Sequence, residues 1–238
     1  MRILAYDTSS EILSIALFEG AVMAGEVESQ LFTRHSAILA PSLDVILKSH
    51  RWRLKDIDVI AVGLGPGSFT GLRVGITTAK LLAWATGKKL VGVPSLEAIA
   101  YGAASSWQGD IAVMLDAKKE KLYAALYRNQ EGSLRTVQRP VLTSAVHFLK
   151  RIKKPTCFVG DGVAMHRDKV LKLSGKSGKI EEVKEQGYPK AKNIVRAALP
   201  LIRAKQFTDP HDLEPLYLHP RDCNVSAPKA GKKGHGRA

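Results

Sequence analysis

Gly63-Leu64-Gly65-Pro66-Gly67-Ser68-Phe69-Thr70-Gly71-Leu72-Arg73-Val74-Gly75 is the stretch on which the reading of this chain turns. Before it, Ile57 to Val62 is a short continuous apolar run of the kind that forms a strand buried on both faces. After it, Leu72 to Ala85 reads as a helix that is apolar on nearly all sides. Strand, glycine loop and helix together make an αβ unit. Five glycines in so short a loop mean close backbone approach. Such a loop at a helix N-terminus can offer free N–H groups to an anion, or it can be a tight structural turn, and the residues alone leave both open. It is not a Walker A loop, because no Lys-Ser or Lys-Thr pair follows at the required spacing, and no ribose-binding acid completes a GxGxxG fingerprint.

Working outward, Arg2 to Tyr6 reads as a strand closed by Asp7, with a second strand over Ser14 to Phe18 and a third near Val22 to Val27. A helix is expected up to Lys48, starting at Thr33 or Ser36, with Pro41 in its first turn or at a kink. Leu90 to Val93 is a further strand, and Ser95 is expected to cap a helix running through Tyr101. Past the polar junction Ser105 to Asp110, the opening pattern returns. Ile111 to Asp116 is an apolar strand ending in Asp, and Leu122 to Tyr127 is its neighbour. The repetition predicts an α/β fold of two similar αβ lobes with mixed sheets and flanking helices. Residues 1–104 form the first lobe and 105–218 a smaller second one, whose last helix, Ala191 to Ala204, is free to pack back on the first. Gly160-Asp161-Gly162 is expected as a turn after the strand Cys157 to Val159, and Gly175 to Gly178 as a loop. Residues 219–238 read as a basic tail, disordered from Ala227 onward.

The 238 residues, 45% of them hydrophobic, suffice for a buried core without staples. Cys157 and Cys223 lie at neither finger nor redox spacing and read as reduced thiols. No apolar stretch approaches the roughly 20 residues that span a bilayer, so a cytoplasmic protein without membrane contact is expected. The net charge of +14 is regional: residues 150–192 carry twelve bases against five acids, and the last ten residues add four bases and no acid. Such regions attract RNA phosphates, or simply form a solvated lysine-rich surface.

GPGSFTGLRVG, with Asp7-Thr8-Ser9 at the end of the first strand, resembles the signature of the TsaB (YeaZ) family. Arg34-His35-Ser36 with Pro41 and Leu43-Asp44, Leu115-Asp116-Ala117-Lys118 with Tyr123, Val159-Gly160-Asp161-Gly162 and Glu214-Pro215-Leu216-Tyr217-Leu218 extend the resemblance over residues 1–218. His219 departs from it, standing where Arg is commoner. The resemblance implies the actin, sugar-kinase and Hsp70 class of two-lobe fold, also called RNase H-like. It implies a role in making N6-threonylcarbamoyladenosine at position 37 of tRNAs that read codons beginning with A. The transferase of that pathway is TsaD, a metal-bearing paralogue. TsaB proteins pair with TsaD as a heterodimer, the ATPase TsaE joins them in a ternary complex, and a homodimer is expected when the chain is alone. Contact with tRNA would be indirect or weak; the alternative is a tRNA-binding subunit acting through the basic second lobe and tail.

TsaD-type proteins hold a metal with a His-x-x-x-His pair on one helical face. Here Ser95 and Ile99 occupy those positions, and Glu97 between them would have to ligate alone. His35, His50, His147, His166, His211, His219 and His235 show no paired spacing, and no GxSxG nucleophile elbow is present. No catalytic residue, metal or cofactor is therefore expected. Asp7, Thr8 and Asp116 are candidates for a degenerate nucleotide cleft, with Asp7 equally suited to bonding its own turn; a nucleotide-hydrolysing enzyme is the least favoured reading. By the resemblance, the partner interface lies on two helices and comprises His35, Ile38, Leu39, Ser42, Val45, Ile46, Val74, Thr77, Thr78, Leu81 and Trp84.

Overall fold

The structure is a computed structural model, and it describes residues 1–30, 35–174, 178–180 and 187–219. The basic tail, Cys223, His235 and the loop from Gly175 lie wholly or largely outside these residues.

Five strands make the first sheet: β1 (Arg2–Asp7), β2 (Ile12–Glu19), β3 (Val22–Gln30), β4 (Val59–Gly63) and β5 (Lys89–Val93), in the order β3-β2-β1-β4-β5. β1 runs antiparallel to β2 and parallel to β4. The second sheet comprises β6 (Gly109–Asp116), β7 (Leu122–Gln130), β8 (Ser133–Thr143), β9 (Thr156–Val159) and β10 (Gly178–Ile180). Its order, β10-β9-β6-β7-β8, repeats the first, with β6 antiparallel to β7 and parallel to β9. The repeated pattern of apolar strand, Asp and returning strand is thus a repeated topology.

Helices arrange these sheets into five layers. Outermost on the first sheet are α1 (His35–Ser49) and α2 (Phe69–Thr86). Leu39, Leu43, Ile46 and Leu47 of α1 and Leu72, Ile76, Ala79 and Ala83 of α2 recur at helical spacing, so each helix buries one stripe against Leu4, Tyr6, Ile15 and Ile60. The opposite face of the sheet, built on Ile3, Ala5, Ala16 and Ala61, is covered by α7 (Ala191–Arg203). α3 (Ser95–Ala103) packs on α7 through Ala98 and on the second sheet through Leu96, Ile99 and Ala103. The outer face of the second sheet carries α4 (Ala145–Leu149), α5 (Asp161–Met165) and α6 (Arg167–Ser174) over Ala112, Met114, Leu122 and Phe158.

Several sequence expectations shift. α2 starts at Phe69, before the apolar run, because the Ser68 hydroxyl accepts from the Gly71 N–H at 3.2 Å and caps the helix there. It ends at Gly87, whose φ of +64° suits a left-handed C-cap. Pro41 sits in the second turn of α1 rather than in its first. Gly160-Asp161-Gly162 opens a helix instead of forming only a turn. Ser95 is not a cap at all: it is the first helical residue, and Pro94 holds the cap position without a side-chain bond.

From Ala191 the chain returns to the first lobe, so the boundary at 218 describes chain order rather than place. Beyond α7, the Thr208 N–H donates to Leu90 O at 2.8 Å, Leu213 is buried in the first core, and the Leu216 N–H donates to Leu64 O at 2.8 Å. Lys80 Nζ donates to the carbonyls of His211 and Leu213. Leu218 then packs against the second lobe, and the His219 ring stacks edge-on against Tyr123 at 5.7 Å. The segment Glu214 to Leu218 is a strap that ties the two lobes together.

Candidate functional site

The cleft between the lobes has a volume of about 540 Å³ and is lined by Ser9, Ser10, Gly67, Ser68, Asp116, Lys118, Tyr123, Asp161 and His219 among others. Two of the three candidate residues for a nucleotide lie beneath its floor. Asp7 is fully buried; its Oδ1 accepts from the Ser9 N–H and hydroxyl, both at 2.7 Å, and its Oδ2 accepts from the Ser95 hydroxyl at 2.6 Å. Burial pushes its carboxyl above the usual range, against the opposing effect of those bonds. The Thr8 hydroxyl donates to Gly71 O at 2.8 Å. Asp7 and Thr8 are therefore not cleft-lining groups, and the carboxylate that lines the cleft on this side is that of Glu11.

The glycine loop explains why. Leu64 N–H donates to Val93 O, Gly65 N–H to the Ser95 hydroxyl, Ser68 N–H to Ser9 O and Leu72 N–H to Ser68 O, so these donors are committed within the protein. A methyl group at Gly63 would collide with the Asp7 carboxylate, at Gly67 with Ser9 O and at Gly75 with the Thr8 hydroxyl. These bonds are those of a structural turn into which Asp7-Thr8-Ser9 fits. Ser95 closes it, a role that no spacing rule reveals because it bridges residues 30 and 88 positions away.

Asp116 does line the cleft. Its Oδ1 accepts from the Lys118 N–H and its Oδ2 pairs with Lys118 Nζ, both at 2.9 Å. Burial pushes this carboxyl up, but the Lys118 bonds and charge outweigh it and hold it below its ordinary value. The turn repeats that of the first lobe, where the same carboxylate oxygen accepts from the residue two positions on. The N–H of Asp116 donates to Asp161 Oδ1 at 2.9 Å. Both strand-ending acids thus serve their own turns.

Of the expected partner surface, part is core. Leu39 and Ile46 are each 1% exposed and belong to the packing of α1 on the first sheet, which corrects their place in the interface. Ile38, Ser42, Val74 and Thr78 are half-buried, Thr77 is exposed, and the side chain of His35 lies outside the described residues. Val45 at 63%, Leu81 at 58% and Trp84 at 71% are large apolar groups open to solvent on the outer side of α1 and α2. Phe69, missed from the sequence, extends this surface beside Tyr217, their rings 5.3 Å apart, with Arg73 stacked over Phe69 at 3.9 Å.

The remaining chemistry is sparse. Among the described residues, no three His, Cys, Asp or Glu side chains stand close enough to hold a metal ion. Both ring nitrogens of His50 face backbone carbonyls, Ile46 O and Ala24 O, at 2.9 Å. Glu97 is largely buried on α3, and burial raises its carboxyl to about 7.

The sequence profile described as TsaD: tRNA N6-adenosine threonylcarbamoyltransferase matches residues 25–220. The tRNA threonylcarbamoyladenosine biosynthesis protein TsaB of Bacillus subtilis strain 168 is 32% identical over 221 residues, covering 92% of this chain and 94% of its own. This chain belongs to the TsaB family. The TsaB protein of Escherichia coli K12 is 29% identical over 227 residues, with 92% and 94% covered. In fold, YeaZ from Pseudomonas aeruginosa superposes with a TM-score of 0.77 at 23% identity, over 91% of this chain and 99% of that one. The shared architecture is two five-stranded mixed sheets with flanking helices.

Proposed function

We propose that this TsaB-family chain is a non-catalytic adaptor that activates a TsaD-type transferase in forming N6-threonylcarbamoyladenosine at position 37 of tRNAs reading codons that begin with A. The observation that carries the reading is the solvent-facing trio Val45, Leu81 and Trp84 on helices whose other faces are already committed to the core. Large exposed apolar groups, Trp above all, are the anchors of protein interfaces. The α1–α2 face packs on the equivalent helices of the transferase, supports its active site and contributes to the surface on which a TsaE-type ATPase docks. Alone, the same face covers itself in a homodimer. The complex works in the cytoplasm; no described helix is long and apolar enough to cross a membrane.

Adaptor rather than enzyme is supported by the cleft, where Asp7 and Thr8 are sealed and Asp116 is paired with Lys118. The test is reconstitution with the TsaD-type, TsaE-type and threonylcarbamoyl-AMP-forming proteins of the same genome. Modified tRNA is expected only when this chain is added, and not when Trp84→Glu replaces it. Equal product without the chain would overturn the reading.

A further inference from the structure

The layer at the far end of the molecule from α1 and α2 has a different character. Phe148, Leu149, Val163 and Val170 turn inward to the second sheet, and the exposed positions combine bases with Val146, Met165 and Leu171. From Ala145 to Lys172 the chain carries seven bases and two acids. One of those acids, Asp161, lines the cleft and accepts from the Asp116 N–H. Among the described residues of this span, Asp168 is the acid that remains beside the bases. Lys150, Arg151, Lys153 and Lys154 follow α4, and Arg167, Lys169 and Lys172 lie on α6, all of them exposed; α4 and α6 pack on each other, which places both groups in one layer.

Among the described residues, Lys150, Lys153, Lys154, Lys169 and Lys172 make no ion pair, and Arg151 meets only the His147 ring, at 3.0 Å. Lys190 and Lys192, by contrast, face Glu28 and Glu26 across the first lobe. Unneutralised like charges repel and are held together at a cost that a polyanion removes. We propose that the α4–α6 face binds the phosphate backbone of tRNA, at the end of the molecule opposite its partner-binding helices. The inference rests on the proposed role in tRNA modification, which supplies the polyanion. The aromatic side chains of this layer, Phe148 and Phe158, are buried, so the face offers cations and no stacking platform. Recognition is therefore of the backbone, independent of base sequence and strongly salt-dependent. The absence of an exposed aromatic anchor here also favours RNA over a membrane surface, despite exposed Val146, Met165 and Leu171.

The test is fluorescence anisotropy of an end-labelled tRNA transcript against the full-length protein across a potassium chloride series. Lys169→Glu with Lys172→Glu, and separately Lys150→Glu with Lys153→Glu, are compared with Arg203→Glu and Lys205→Glu, an equal charge change on the exposed end of α7. Each face pair is expected to weaken binding about tenfold or more and to flatten the salt slope by about 2, since each lost phosphate contact removes roughly 0.9. The α7 pair is expected to stay within about threefold of wild type. Size-exclusion chromatography with the TsaD-type partner accompanies each variant, and thermal melting checks folding. Face pairs that match the α7 pair would overturn the proposal, as would wild-type binding to phosphatidylglycerol vesicles but not to tRNA. A wild-type chain that binds tRNA through this face yet forms no complex would sink the adaptor role alone.

Discussion

Asp7 has no water to ionise into, and three hydrogen bonds decide what it does. With Ser95 removed, Asp7 Oδ2 and the Gly65 N–H would both lose a buried partner. Ser95→Ala is expected to cost about 1–3 kcal/mol in urea unfolding, because unsatisfied buried polar groups forfeit their solvation. Unchanged stability would mean that the lock between the first turn and the glycine loop is not formed. Gly67→Ala is expected to cost more, since the obstructing atom is the backbone carbonyl of Ser9 and not a side chain that can swing away. The sequence made these glycines conspicuous and named Asp7, Thr8 and Ser9 beside them. It could not say whether the loop faced a ligand or a turn, because that depends on where Ser9 and Ser95 meet it in space.

At the scale of elements, the proposed interface on α1 and α2 lets stability be separated from assembly. Ile46→Ala empties a core site and is expected to lower stability by ~2–5 kcal/mol. Trp84→Glu, on the outer side of α2, is expected to leave the denaturation midpoint nearly unchanged and to abolish partner binding. Helical periodicity found both helices, but the interface drawn from the resemblance took in Leu39 and Ile46, because the sequence cannot say which side of a broadly apolar helix meets the sheet. β8 escaped notice for the opposite reason: an edge strand with Arg135, Gln138, Arg139 and Pro140 shows no apolar run. On α3, Glu97 sets a pH dependence. Its folded value of about 7 lies above the usual 4.5, so ionisation is harder in the fold than in the unfolded chain. The resulting penalty is absent below 4.5, grows through the window up to 7, and is fully present above it, reaching at most ~3 kcal/mol. Glu97→Gln is expected to be the more stable form at pH 8, with the two proteins converging toward pH 4.5; parallel stability profiles would refute the assignment.

The whole molecule is a five-layer stack with an apolar face at one end and a basic face at the other. The two-lobe repeat was legible because strand, acid and returning strand recur in the sequence, and the same order of strands recurs in the sheets. The return of α7 and the strap across the first lobe left less of a trace, since the partners of Leu213 and Leu216 lie more than a hundred residues upstream. Asp7 and Asp116 are occupied in their own turns, and the proposed role is to hold other molecules. Light scattering coupled to size-exclusion chromatography, on this chain alone, with its TsaD-type partner, and with Trp84→Glu in place of wild type, tests that claim most directly. The account predicts a heterodimer with the wild-type chain, formed at the expense of any homodimer, and none with Trp84→Glu. Separate elution of the wild-type chain and its partner, with nucleotide and the TsaE-type protein also supplied, would contradict it.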